Sequence, residues 1–145
     1  MRIIPGEYDC VSRASLNPAR LRKAHETPCE PSMAYFLIAM MHEHSCKEFP
    51  MPKVRLRKPR VGKNTGRGWG GVKVQDGKWR GFVSLPDVVM TDKSKPYGTL
   101  RIGLVCHEFA HAVEALKFKS TGHSPRFTAI LDSLLFYTEQ FWSVK

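Results

Sequence analysis

Between Thr99 and Lys119 the chain places Leu100, Leu104, Val105, Phe109, Ala112, Val113 and Leu116 at helical spacing, interleaved with His107, Glu108, His111 and Glu114. Apolar residues on that many sides mark a helix that is largely buried, so other elements have to pack around it. A chain of 145 residues is the size of one domain and can bury a real core. The breakers Pro5, Gly6, Pro18 and Pro28 predict an irregular segment over residues 1–30, packed on a domain spanning 31–145. Only Pro18–Ala24 in that segment offers a short helix.

Pro31 suits a first helical turn, and Ser32–Cys46 reads as a helix apolar on every side, ended by Pro50 and Pro52. Lys53–Arg57 alternates basic and apolar residues, the period of a half-buried strand. Gly70–Gln75 and Trp79–Leu85 read as two more strands joined by the turn signal Asp76-Gly77. The glycines of Gly62–Gly71 lack the spacing of a phosphate loop. Thr121-Gly122 stops the long helix, with Gly122 as its C-terminal cap. A final helix, Pro125–Trp142, carries Phe127, Ile130, Leu131, Leu134 and Leu135 on one face. Phe136, Tyr137, Phe141 and Trp142 read as core. The expected fold class is α+β: an apolar helix, a three-stranded antiparallel sheet, the buried helix and a C-terminal helix. Trp79–Leu85 is the expected sheet edge over the buried helix.

With 42% hydrophobic and 25% charged residues, the composition is that of an ordinary globular protein. The longest apolar run, Met33–Met41, falls well short of the roughly 20 residues a membrane span needs. Pro5-Gly6-Glu7 interrupts the N-terminus before a signal-peptide core, which leads us to expect a cytoplasmic protein with no membrane partner. Cys10, Cys29, Cys46 and Cys106 form no Cys-x-x-Cys knuckle and are expected to be reduced thiols. A small second metal site from Cys46, His42 and His44 is conceivable, against the plainer reading of a polar helix end.

The net charge of +10 is unevenly spread: residues 53–67 hold Lys53, Arg55, Arg57, Lys58, Arg60, Lys63 and Arg67 without one acid. Such a block attracts polyanions, nucleic acid above all. It is equally compatible with a strand and loop whose charges face water.

In His107-Glu108-Phe109-Ala110-His111 the two imidazoles are four residues apart and share one helix face, so both can reach a single ion. Neutral imidazoles suit Zn²⁺. Glu108, beside the first ligand, is placed to take a proton from a water that the ion activates. A catalytic zinc needs a third protein ligand. Glu114 lies one turn beyond His111 and better suits orienting a ligand imidazole. Glu139 could ligate from the last helix, but His123 is the better choice, because a reversal at Gly122 would bring it back under the ion.

His107-Glu108-Phe109-Ala110-His111, followed after eleven residues by His123-Ser124-Pro125-Arg126-Phe127, resembles the SprT-like (Spartan-type) zinc metalloprotease domain. The order of elements over residues 31–140 is similar as well. Ser124 departs from the glycine usual after that family's third histidine, and the Cys-rich zinc ribbon and partner-binding tails of several members are missing. The resemblance implies a minimal zincin-like domain with His107, His111 and His123 as zinc ligands and Glu108 as the general base of peptide-bond hydrolysis. Tyr97, Arg126 and Tyr137 are candidates for stabilising the oxyanion. Two other readings stay open: a nucleic-acid-binding module that keeps the fold without peptidase activity, and a regulatory zincin acting on one bound protein. Substrate preference and oligomeric state are not legible.

Overall fold

Residues 16–58, 69–75, 78–120 and 122–142 are described by the computed structural model. They form α1 (Pro18–His25), α2 (Pro31–Ser45), β1 (Lys53–Arg57), β2 (Trp69–Gln75), β3 (Lys78–Pro86), α3 (Ile102–Phe118) and α4 (Pro125–Thr138), then a 3-10 turn at Glu139–Phe141. The class is α+β, with four helices and a three-stranded mixed sheet among the described residues. The Gly-rich loop, the Asp76-Gly77 turn and Cys10 lie outside them.

The chain is arranged around α3. From Ile102 to Leu116 every residue is buried except His111, which is half-buried. One side of α3 meets the sheet, where Val83 and Leu85 are fully buried. Its other sides meet α1, α2 and α4, which supply Leu21, Leu37, Ile38, Met41, Leu131, Leu134 and Leu135 to the same core. Truncating any one of these large side chains to alanine typically costs about 2–5 kcal/mol. α2 is not apolar toward protein on every side as expected: Tyr35 and Phe36 are 49% and 42% exposed.

The start of α3 is pinned by the backbone before it, because no side chain caps its first turn. Ile102 N donates to Thr27 O at 3.0 Å, and Leu100 O accepts from Cys29 N and Met90 N. Beneath this, the buried Arg101 donates from Nε to His25 Nδ1 at 3.2 Å and from Nη1 to the Thr99 and Pro96 carbonyls. α1, the loop and α3 thus share one buried polar junction.

The sheet differs from the antiparallel one expected. Its order is β1-β3-β2, with β2 antiparallel to β3 and β1 parallel to it. β3 is therefore the middle strand, not the edge; the edge beside α3 is β2. Alternation within a strand reports which face is wet but not which neighbour it takes. A parallel partner arrives through a long connection, which leaves no local signature.

The other correction concerns the end of α3. The left-handed cap is Lys119, at φ 55, whose N–H donates to Ala115 O at 3.0 Å. Gly122 lies three residues later at φ 112, a backbone that only glycine adopts without strain, and it turns the chain toward α4.

Cys29, Cys46 and Cys106 are free and buried. Burial raises their thiols from an ordinary 9.0, to about 12, 11 and 12 respectively. Folded thiols stay protonated where unfolded ones ionise, so their contribution to stability is complete below about pH 9 and is lost as pH rises toward 11–12. The urea midpoint should accordingly be flat from pH 7 to 9 and fall above it. Thiol reagents at pH 8 should label these three only after unfolding; rapid labelling of the native chain would contradict their burial. Among the described residues no helix is long and apolar enough to cross a membrane.

Candidate metal centre

α3 presents His107 and His111 from one face, and the 119–124 turn returns His123 to the same place. His107 Nε2 lies 3.2 Å from His111 Nε2 and 3.4 Å from His123 Nε2, and the three donor atoms fall within 4.8 Å of one another. Ligand nitrogens at about 2.0–2.1 Å from a tetrahedral ion stand roughly 3.3 Å apart. The two spacings from His107 match that figure, and all three donors stay within 4.8 Å of one another. Three imidazole nitrogens turned toward one point repel through their lone pairs unless a proton or a cation sits between them. The donor set therefore fits a metal ion, and three imidazoles suit zinc, copper, iron or nickel rather than calcium or magnesium. Expected site residues His107, His111 and His123 are brought together.

Phe127 closes the site from below. Its ring stacks on His111 at 4.3 Å between centroids and meets His107 and His123 edge-on, each at 5.0 Å. It is fully buried. The helical pattern marks Phe127 only as core; its contact with all three imidazoles is a tertiary fact. His107 and Glu108 are 8% and 6% exposed, whereas His111 and His123 are half-buried, so the histidine cluster opens to solvent on one side.

Glu108 lies beneath β2, where Gly70 crosses it so closely that a Cβ at Gly70 would overlap the Glu108 carbonyl oxygen. A second neighbour is Arg57, at the end of β1, which donates to Ser84 Oγ. Burial and the neighbouring Arg55 lower the Arg57 guanidinium below its ordinary range, and the charge of Glu108 raises it part of the way back. The Glu108 carboxylate and the Arg57 cation are therefore within electrostatic reach of one another. Strand alternation placed Arg57 only on a basic face and gave no hint of this.

Glu114 is wholly buried, and its Oε2 accepts from Ser124 Oγ at 2.7 Å. Ser124 Oγ in turn caps α4 by accepting from Phe127 N at 3.1 Å. Glu139 pairs with Arg20 at 3.2 Å and takes no part in the cluster. Of the oxyanion candidates, Arg126 lies over the Phe118 ring at 4.2 Å and Tyr137 stacks on His44 at 4.0 Å. Tyr97 is 54% exposed in the loop between β3 and α3. The Cys46, His42 and His44 grouping does not form: His42 Nε2 bonds Phe49 O at 2.7 Å, His44 faces Tyr137, and Cys46 is fully buried.

Of the basic block, Lys53, Arg55 and Lys58 are exposed and Arg57 is half-buried; Arg60, Lys63 and Arg67 lie outside the described residues. Comparison with protein-family models, with curated proteins and with solved structures finds no match to this chain.

Proposed function

We propose that this protein is a zinc-dependent endopeptidase of the SprT-like kind. The observation that carries the reading is the convergence of the His107, His111 and His123 donor atoms within 4.8 Å of one another, His107 Nε2 standing 3.2 and 3.4 Å from the other two, with Glu108 next to His107 on the same buried helix. A zinc ion held there would supply Lewis-acid chemistry, polarising a water and the scissile carbonyl. Glu108 would take the proton from the attacking water and return it to the departing amine. Its 6% exposure keeps bulk water from competing for that proton.

β2 is the sheet edge beside this helix, so an extended substrate would pair its backbone with the outer side of Trp69–Gln75. This takes the place of β3, whose two sides are occupied by β1 and β2. The direct test is metal content. Purified protein is expected to hold about one equivalent of zinc, and His123→Ala to lose most of it. Full zinc retention by His123→Ala would remove the third ligand and with it the site.

A second reading, action close to nucleic acid, is favoured by the outer face of the sheet. Register places Lys53 beside Phe82, Arg55 beside Ser84 and Lys73 beside Arg80, so these residues share the face turned away from α3. Lys73 Nζ sits 4.9 Å from the Phe82 ring centroid. No carboxylate pairs with Lys53, Arg55, Lys73 or Arg80 among the described residues. Cations around an aromatic ring suit a single strand, which offers phosphates and stacking bases. Charge reversal at Lys53, Arg55 and Lys73 is expected to weaken binding of a labelled oligonucleotide at least tenfold and to flatten its salt dependence. Binding that is absent at 0.15 M salt in the unaltered protein would end this reading and leave the peptidase one standing.

A further inference from the structure

We propose that Glu114 is the positioning residue of the third histidine: through Ser124 it fixes the turn that presents His123 to the ion. The inference rests on the zinc reading of the histidine cluster and concerns what holds that cluster in shape.

His107 and His111 are set by α3 itself, but His123 arrives from a separate turn. That turn contains two left-handed residues, Lys119 and Gly122, and Lys119 N donates to Ala115 O. Ser124 ties its far end back to α3. Its hydroxyl donates to Glu114 Oε2 at 2.7 Å and accepts from Phe127 N at 3.1 Å, so one oxygen ties α3 to the first turn of α4. The Ser124 carbonyl adds bonds from Thr128 N and Oγ1, at 3.1 and 3.3 Å. His123 is covalently adjacent to this knot.

Glu114 is placed for the task by helical spacing: it lies three residues after His111 and seven after His107, hence on the ligand face. It is 0% exposed, and Oε1, buried as well, has no hydrogen-bond partner among the described residues. A carboxylate buried with half its acceptors unused is costly, and an apolar residue would fill a purely structural position better. A carboxylate is what the turn requires if it must accept a hydroxyl proton strongly while that hydroxyl caps a helix.

The test measures zinc affinity by chelator competition on the full chain, beside thermal unfolding of the metal-free protein. Ser124→Ala and Glu114→Gln are each expected to weaken zinc binding about ten- to a hundredfold. The double variant should be no weaker than the worse single one, because both break the same link. Ser124→Thr keeps the hydroxyl and should restore affinity. Ser124→Asp still caps the helix but sets a second carboxylate against Glu114, so it should bind zinc poorly. Unaltered affinity in Ser124→Ala would overturn the proposal, and so would unaltered affinity in Ser124→Asp, since capping alone would then suffice. Should Glu114→Gln fail to fold, the Ser124 series still decides. Zinc retained in His123→Ala would instead overturn the metal-site reading beneath it.

Discussion

Glu108→Gln is expected to lower peptide hydrolysis by about 10²–10⁴-fold, the range for loss of a general acid–base group, while leaving bound zinc near one equivalent. Glutamine matches glutamate in size, so the contact of residue 108 with Gly70 should survive, but its amide cannot take a proton from water. Cleavage of an unfolded protein such as casein, set beside metal analysis of the same samples, measures both quantities. A variant retaining more than about a tenth of the rate would show that another group moves the proton. One that lost its metal would assign Glu108 to holding the ion. Arg57 enters this experiment as well: Glu108 raises an Arg57 cation that burial and Arg55 depress, so the glutamine variant leaves Arg57 in a less favourable environment.

Among the glycines compared in the described residues, Gly70→Ala should have the largest effect on the fold. The new Cβ would overlap the Glu108 carbonyl oxygen and lie 2.7 Å from its carbonyl carbon, and helix backbone cannot swing aside as a side chain can. β2 would have to lift off α3, at a cost of about 3 kcal/mol or more, which lowers Tm by on the order of 10 °C. Zinc affinity should fall with it, because the displaced contact is next to His107. Gly71→Ala is the control. Its Cβ would point to the outer sheet face and meet only the Phe82 ring, at 3.4 Å, so a change under about 1 kcal/mol is expected. Equal unfolding temperatures for the two variants would mean that β2 does not lie on α3 as described.

The comparison of these glycines shows where sequence stops informing. Both stand in the same strand pattern, and nothing in Trp69-Gly70-Gly71-Val72 separates the one that touches a helix from the one that faces out. That distinction needs the β2–β3 register and the packing of α3 beneath it. The strand order was illegible for the same kind of reason. Lys53–Arg57 announces a strand by its alternation and forms one with those bounds, yet it pairs in parallel with β3, which follows β2 in the chain, rather than with its neighbour in sequence. Glu139, weighed as a ligand by sequence distance, proved to be occupied by Arg20 from α1, a contact between residues more than a hundred positions apart.

The amino-acid sequence by itself determined the elements that local physics governs. Helical spacing marks α3 as a buried helix and places His107 and His111 on one of its faces, because side chains four residues apart meet whatever surrounds them. Proline at the first turn of α1, α2 and α4, and Ser124 at the N-cap of α4, are local in the same sense. The sequence offered His123 as the third member and the tertiary structure seats it beside the pair; only the tertiary structure decided that Phe127 lies against all three rings and that Glu114 holds Ser124. It alone decided that β2 rather than β3 borders the helix. Those relations depend on a turn with two left-handed residues and on the parallel pairing of β1 with β3, and neither follows from a nearest-neighbour preference along the chain.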